Sequence, residues 1–171
     1  MQNSSSVASL SNKVLMVLWF ILFFNPLSNA FLWFLGASGD SDSFKLTVNG
    51  EEGFFNGSEQ ITSYLISNVT ILGMTLITWQ LIKLFKLYKD GHVFTERNVK
   101  QYINISNCII LYVVFRALES FLFSLLYMPD GFVFGIEDFD VALIVTGVIV
   151  RLIAKVMHEA KGLYDEQSMT I

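Results

Sequence analysis

The chain has one cysteine, two prolines and two histidines in 171 residues, and only 15% of its residues are charged. The lone Cys108 excludes an intramolecular disulfide and any cysteine-rich metal site. His92 and His158 lack the spacing of a metal pair. No glycine-rich phosphate loop, no nucleophile beside a candidate base and no basic run suited to a nucleic-acid groove occurs. The expectation is therefore a protein that is not an enzyme, takes no metal or cofactor and does not bind nucleic acid directly.

What the chain has is apolar length. Its hydrophobic share is 53% and its mean hydropathy +0.54, whereas a soluble domain carries about 25% charged residues. A bilayer core about 30 Å thick needs roughly 20 helical residues. Residues 14–35, 61–83 and 102–127 each supply that many, and a fourth, weaker stretch covers 140–158. The fourth has ten uncharged residues, Val141–Val150, before Arg151, so Arg151 and Lys155 must reach the headgroups or be satisfied inside the protein. The expected fold is an all-α membrane protein, a four-transmembrane-helix bundle. Residues 13–164 form its single membrane domain, between a disordered tail (residues 1–12) and a carboxyl-terminal tail (165–171).

Charge orients the bundle. Lys13, Lys83, Lys86, Lys89, Arg97, Lys100, Arg151, Lys155 and Lys161 lie on one side, Lys45 alone on the other, and Arg116 within a span. The opposite segments carry Asp40, Asp42, Glu51, Glu52, Glu59, Asp130, Glu137, Asp138 and Asp140. The positive-inside rule then places both termini in the cytoplasm, with helices 2, 3 and 4 extending into it. Ser28-Asn29-Ala30 resembles a cleavage site, but the apolar run continues through Leu35, so the first stretch reads as a span rather than a cleaved leader. Pro26 is placed to kink it.

Between the first two spans, Phe44, Leu46 and Val48 alternate with polar residues ahead of Asn49-Gly50, which suggests a short hairpin. On the cytoplasmic side, Gly91 is placed to stop the second helix in a left-handed cap. Thr95 caps the third helix, and Phe94 before it can staple to Val99. Past Arg151 the fourth helix turns amphipathic and offers a docking surface or a headgroup-facing stripe. A faint repeat at an offset of 71 matches Thr75, Leu81, Ile82 and Gly91 with Thr146, Leu152, Ile153 and Gly162.

Arg116 and Glu119 lie within the third span, where a charge costs about 2.5–3.5 kcal/mol to insert, so both should face protein or water. Arg151 reaches a similar depth if the fourth helix begins near the outer surface. An intramembrane charge cluster of Arg116, Glu119 and Arg151 is expected. It either locks helices together or binds and relays a cation or proton.

The segment Lys89-Asp90-Gly91-His92-Val93-Phe94-Thr95-Glu96-Arg97-Asn98 resembles a signature of an uncharacterised bacterial membrane family, domain of unknown function 2975. That signature has Gly, then Phe-Ser/Thr, then Asn, matched by Gly91, Phe94, Thr95 and Asn98. The end of the chain is similar to the family's acidic pair and Leu-Thr-aliphatic finish, through Asp165, Glu166, Thr170 and Ile171. Arg97 stands where an acid is common, and Ser168-Met169 replaces the usual acid-Leu. The resemblance covers essentially the whole chain. It implies a multi-pass protein of the bacterial inner (plasma) membrane with no established activity. Its partners would be the lipid bilayer and a small helix-turn-helix regulator or other cytoplasmic protein, and homo-oligomers stay open. The favoured role is a non-catalytic regulatory or interaction protein. The alternative is a small transporter, channel or immunity-type membrane factor built on the Arg/Glu site.

Overall fold

The computed structural model describes residues 2–37, 47–48, 51–52, 58–93, 95–127 and 137–168, with side chains over 7–35, 58–93, 95–127 and 137–162. Four helices account for nearly all of this: α1 (Gln2–Ala37), α2 (Ser58–Lys89), α3 (Glu96–Tyr127) and α4 (Asp138–Ser168). Strands β1 (Thr47–Val48) and β2 (Glu51–Glu52) pair antiparallel, Thr47 opposite Glu52 and Val48 opposite Glu51. That is the short hairpin expected around residues 49–50, which lie outside the described residues, as do Phe54 and Phe55.

Three helices are long and apolar enough to cross a membrane: α1 over Val7–Leu35, α2 and α3. At about 1.5 Å per residue, α2 and α3 with 32 residues each run about 48 Å, well past a core of about 30 Å. The fourth helix, α4, is not among the three. It opens on Asp138 and Asp140 and carries Arg151, Lys155, His158 and Glu159 along its length.

Residues 2–12 form a correction to the disordered amino-terminal tail. They are helical and continuous with the first span. Extending an existing helix costs far less than nucleating one, and no Gly or Pro interrupts the stretch. Pro26 sits inside α1, where it removes one backbone donor. Ser28 donates its hydroxyl to the Asn25 carbonyl beside it at 3.0 Å.

Each helix packs on its sequence neighbour, α1 on α2, α2 on α3 and α3 on α4, while α1 and α4 share no packed interface among the described residues. Small side chains set the close approach. Ser63, Ser67, Gly73 and Thr78 line the buried face of α2, and the three hydroxyls donate to carbonyls of their own helix. Close contact between apolar helices favours small residues of this kind. At Gly73 an added Cβ would lie 2.9 Å from Tyr112 Cδ2 and 3.3 Å from Tyr112 Cα. Gly73→Val is therefore expected to destabilise the α2–α3 pair by about 1–3 kcal/mol, read as an earlier thermal aggregation midpoint in detergent.

Apolar clusters mark the two ends of the bundle. Trp33, Ile66 and Phe123 pack near the α2 amino-terminal end, and Leu15, Leu18 and Ile82 toward the other. At that second end Trp19 meets Trp79 edge-on with centroids 6.1 Å apart. Lys86 lies 5.5 Å over Trp19 and Lys83 5.6 Å over Trp79. Tryptophan and lysine together are the pattern of a membrane–water boundary. Phe20, Phe23, Leu27 and Phe31 of α1 and Val145, Val148 and Leu152 of α4 are exposed, the surface lipid would cover.

The matches at offset 71 hold only in part. Thr75 and Thr146 each donate to the carbonyl four residues back. Gly91, however, has a φ of 79° and ends its helix, whereas Gly162 lies inside α4.

Candidate functional site

Two polar centres stand out against the apolar bulk, one in the second half of α3 and one at the α2–α3 turn. The first is built where α4 begins. Arg116 donates through Nε to Asp140 Oδ1 at 2.6 Å and through an Nη nitrogen to Glu137 Oε2 at 2.7 Å. Its guanidinium lies 5.2 Å over the Phe139 ring. Asp140 also accepts the Glu137 backbone N–H at 3.1 Å with its second oxygen. Asp140 is only 6% exposed. One carboxylate thus pairs with Arg116 and caps α4, in the Glu-x-x-Asp manner of a capping box. Acids in a first helical turn also favour the helix dipole.

The depth of this cluster follows from the α3–α4 register. The pairs Arg116–Asp140, Asn107–Arg151, Ser106–Gly147 and Glu96–Lys161 run in one antiparallel order. Arg116 precedes Tyr127 by eleven residues, about 16 Å at about 1.5 Å each. α4 therefore starts about a third of the way back along α3 from Tyr127, not level with its end. A helix starting there leaves free N–H groups at its first turn, and Asp140 takes one donor at this start, the Glu137 N–H.

This geometry corrects the expected cluster of Arg116, Glu119 and Arg151. Arg116 is held by Glu137 and Asp140, two acids assigned to an outer loop. Glu119 instead accepts the Thr70 hydroxyl of α2. Arg151 lies farther along, donating to Asn107 Oδ1 at 3.1 Å. Arg116 and Glu119 are near enough to interact electrostatically, but Arg151 does not join them because α4 is shifted against α3 by nearly half a span.

The second centre is the turn. Gly91 adopts the left-handed conformation, and the His92 and Gly91 N–H groups donate to the Leu87 and Tyr88 carbonyls. That pattern closes the helix end as a Schellman-type cap. Thr95 starts α3: its carbonyl accepts the Asn98 and Val99 N–H groups at 3.0 and 3.3 Å. Its hydroxyl donates to Asn98 Oδ1 at 2.5 Å rather than to the backbone. Phe94, expected to staple to Val99, lies outside the described residues, though Val99 is buried. Asn98 has no exposed surface, and its amide lies against the Tyr88 phenol, yet Nδ2 has no acceptor at hydrogen-bonding geometry. The Tyr88 and Tyr102 hydroxyls are 2.7 Å apart. Burial first, then the Tyr102 hydrogen bond, pushes the Tyr88 phenol well above its ordinary range, so it stays neutral. Neither tyrosine was singled out from sequence, although both carry a polar tip into this apolar surround.

Lys161 of α4 reaches Glu96 at 2.7 Å and ties the fourth helix to this turn. The Lys161 hydrogen bond holds the exposed Glu96 carboxyl below its ordinary value of 4.5. A depressed folded-state pKa gives stability above the unfolded pKa that is lost as pH falls through the folded one. Acidification below about pH 4, or Glu96→Gln at neutral pH, should loosen the α4 end, seen as faster amide exchange over residues 150–162. Unchanged exchange in Glu96→Gln would show that the ion pair holds nothing. Asp165 and Glu166 fall in the last turns of α4, and Thr170 and Ile171 lie outside the described residues.

No group of three or more His, Cys, Asp or Glu able to hold a metal occurs among the described residues. The family model described as "Protein of unknown function (DUF2975)" matches residues 8–171. The chain belongs to that family. No curated protein and no solved structure matches it.

Proposed function

We propose that this protein is a non-catalytic interaction or regulatory protein of a bacterial inner membrane. The α2–α3 turn and the end of α4 lie in the cytoplasm, where they bind a soluble protein such as a small helix-turn-helix regulator. The observation that carries this reading is the ordered platform beyond the apolar spans. Buried Asn98, the Tyr88–Tyr102 contact and the Glu96–Lys161 pair hold three helix ends together there. Nine of eleven basic residues fall on that side, which the positive-inside rule assigns to the cytoplasm along with both termini. Membrane anchoring alone does not require a fixed polar surface, whereas recognition does.

Purification of the full chain in mild detergent should then recover one soluble protein at near one-to-one stoichiometry. Reversing the exposed charges in Arg97→Glu/Lys100→Glu should release it. The reading fails if no soluble protein is retained, or if retention ignores the turn.

A second reading has one observation of its own. Glu137 and Asp140 join Arg116 at mid-depth, with Glu119 three residues along α3, so carboxylates outnumber the cation there. A small transporter, channel or immunity-type factor passing protons or a small cation would need such an excess. Vesicles holding the purified protein should then show flux that Glu119→Gln abolishes, and no flux would end this reading.

A further inference from the structure

α3 and α4 approach closely where the buried Ser106 hydroxyl donates to the Gly147 carbonyl at 2.8 Å. An added Cβ at Gly147 would lie 3.3 Å from Ile110. At the cytoplasmic end they are joined again by Lys161 and Glu96. Between these two fastenings lies a cleft of about 630 Å³, within the roughly 300–1,000 Å³ of ordinary ligand sites. Ala154, 2% exposed, is among its lining residues, and its short side chain leaves the space that a larger residue would fill.

The walls divide by chemistry along the helix axis. Val148 and Leu152 of α4 and Val99 and Ile103 of α3 are apolar. Arg151, Lys155 and His158 line the same cleft at i, i+4 and i+7, so they form one stripe on α4. Among the described residues neither Arg151 nor Lys155 pairs with a carboxylate. The one acid in the lining, Glu96, is already engaged by Lys161. Cations above an apolar lane, at the level where Lys83 and Lys86 cover Trp79 and Trp19, match an anionic head on an acyl chain.

We propose that the α3–α4 cleft is a binding site for an anionic phospholipid. Arg151 and Lys155 take its phosphate, His158 flanks the head, and Val148, Leu152 and Ile103 hold the first part of an acyl chain. Basic pockets between helices near the cytoplasmic leaflet are suited to such lipids. The bound lipid fills the cleft between the two fastenings and ties α4 to α3 there. The site uses the inward orientation proposed above but no soluble partner, so it stands or falls separately from the partner reading.

The test uses detergent-purified full-length protein titrated with dioleoylphosphatidylglycerol or dioleoylphosphatidylcholine, with bound lipid counted by native mass spectrometry. The anionic lipid should bind about tenfold tighter, given the share each cation adds. Arg151→Gln/Lys155→Gln should erase that preference, whereas Lys83→Gln/Lys86→Gln, on α2 at the same level, should keep it. Val148 is exposed, so Val148→Trp should fold normally and still block the acyl lane, lowering anionic-lipid binding by a similar factor. Equal binding of the two lipids overturns the proposal, as does equal loss in both double variants. Displacement of the lipid by inorganic phosphate at matched concentration would also overturn it, since the apolar lane would then contribute nothing.

Discussion

Asp140→Leu is expected to lower stability by about 3–5 kcal/mol, because it strands the Arg116 guanidinium without its buried partner. The same change removes the cap on the Glu137 N–H, which adds about 1 kcal/mol. Polar contacts between membrane helices are often weaker than expected, which favours the lower end of the range. Removing both charges in Arg116→Leu/Asp140→Leu should restore much of the loss, since no buried cation remains and only the cap is missing. Glu137 is largely exposed and keeps access to water or headgroups. Thermal aggregation in a single detergent reads the order directly. If the double variant is as damaged as the single one, the two residues are not coupled and the register that places them together is wrong.

Asn98→Leu is the second large effect. Leucine keeps the branched shape but is larger, so at a site with no exposed surface overpacking adds to the loss. The Thr95 hydroxyl loses its Oδ1 acceptor, and the Tyr88–Tyr102 pair loses its amide neighbour. Leaving such groups unsatisfied costs about 1–3 kcal/mol. Asn98→Asp retains an acceptor for Thr95 but buries a carboxylate where no surface is exposed, so it should lose at least as much stability. The turn should become a protease-sensitive site in Asn98→Leu while the spans stay folded. Under the proposed function that variant also releases the soluble partner. A leucine variant as protease-resistant as the parent would show that the buried amide does not hold the turn.

Local chemistry was legible in the sequence, and long-range register was not. Gly91 and Thr95 announce the turn because a left-handed cap and a helix start depend on neighbouring residues alone. The hairpin at residues 47–52 was readable for the same reason. The charge cluster failed because equal outer ends were assumed for α3 and α4. With α4 starting level with Arg116, Arg151 moves away toward Asn107 and Asp140 moves in. Two signals pointed to the deeper start: only ten uncharged residues separate Asp140 from Arg151, and Glu137-x-x-Asp140 has the spacing of a capping box. The Thr70–Glu119 contact had no such signal, since hydropathy cannot say which face of α2 meets α3. The polar core of the turn was half visible, with Asn98 named and Tyr88 and Tyr102 not. The helicity of residues 2–12 was missed because their Ser-rich composition speaks for an isolated peptide, not for one continuous with a span.

The proposed orientation puts the basic end of this bundle, with its turn and α4, in the cytoplasm. Cys108 is the only cysteine, so a Cys108→Ser background allows single reporters at Glu52→Cys, His92→Cys and Glu159→Cys. A membrane-impermeant maleimide added to intact cells should label Glu52→Cys alone. After permeabilisation, His92→Cys and Glu159→Cys should label as well. Labelling of His92→Cys or Glu159→Cys in intact cells, with Glu52→Cys protected, would contradict the orientation and the cytoplasmic docking surface built on it.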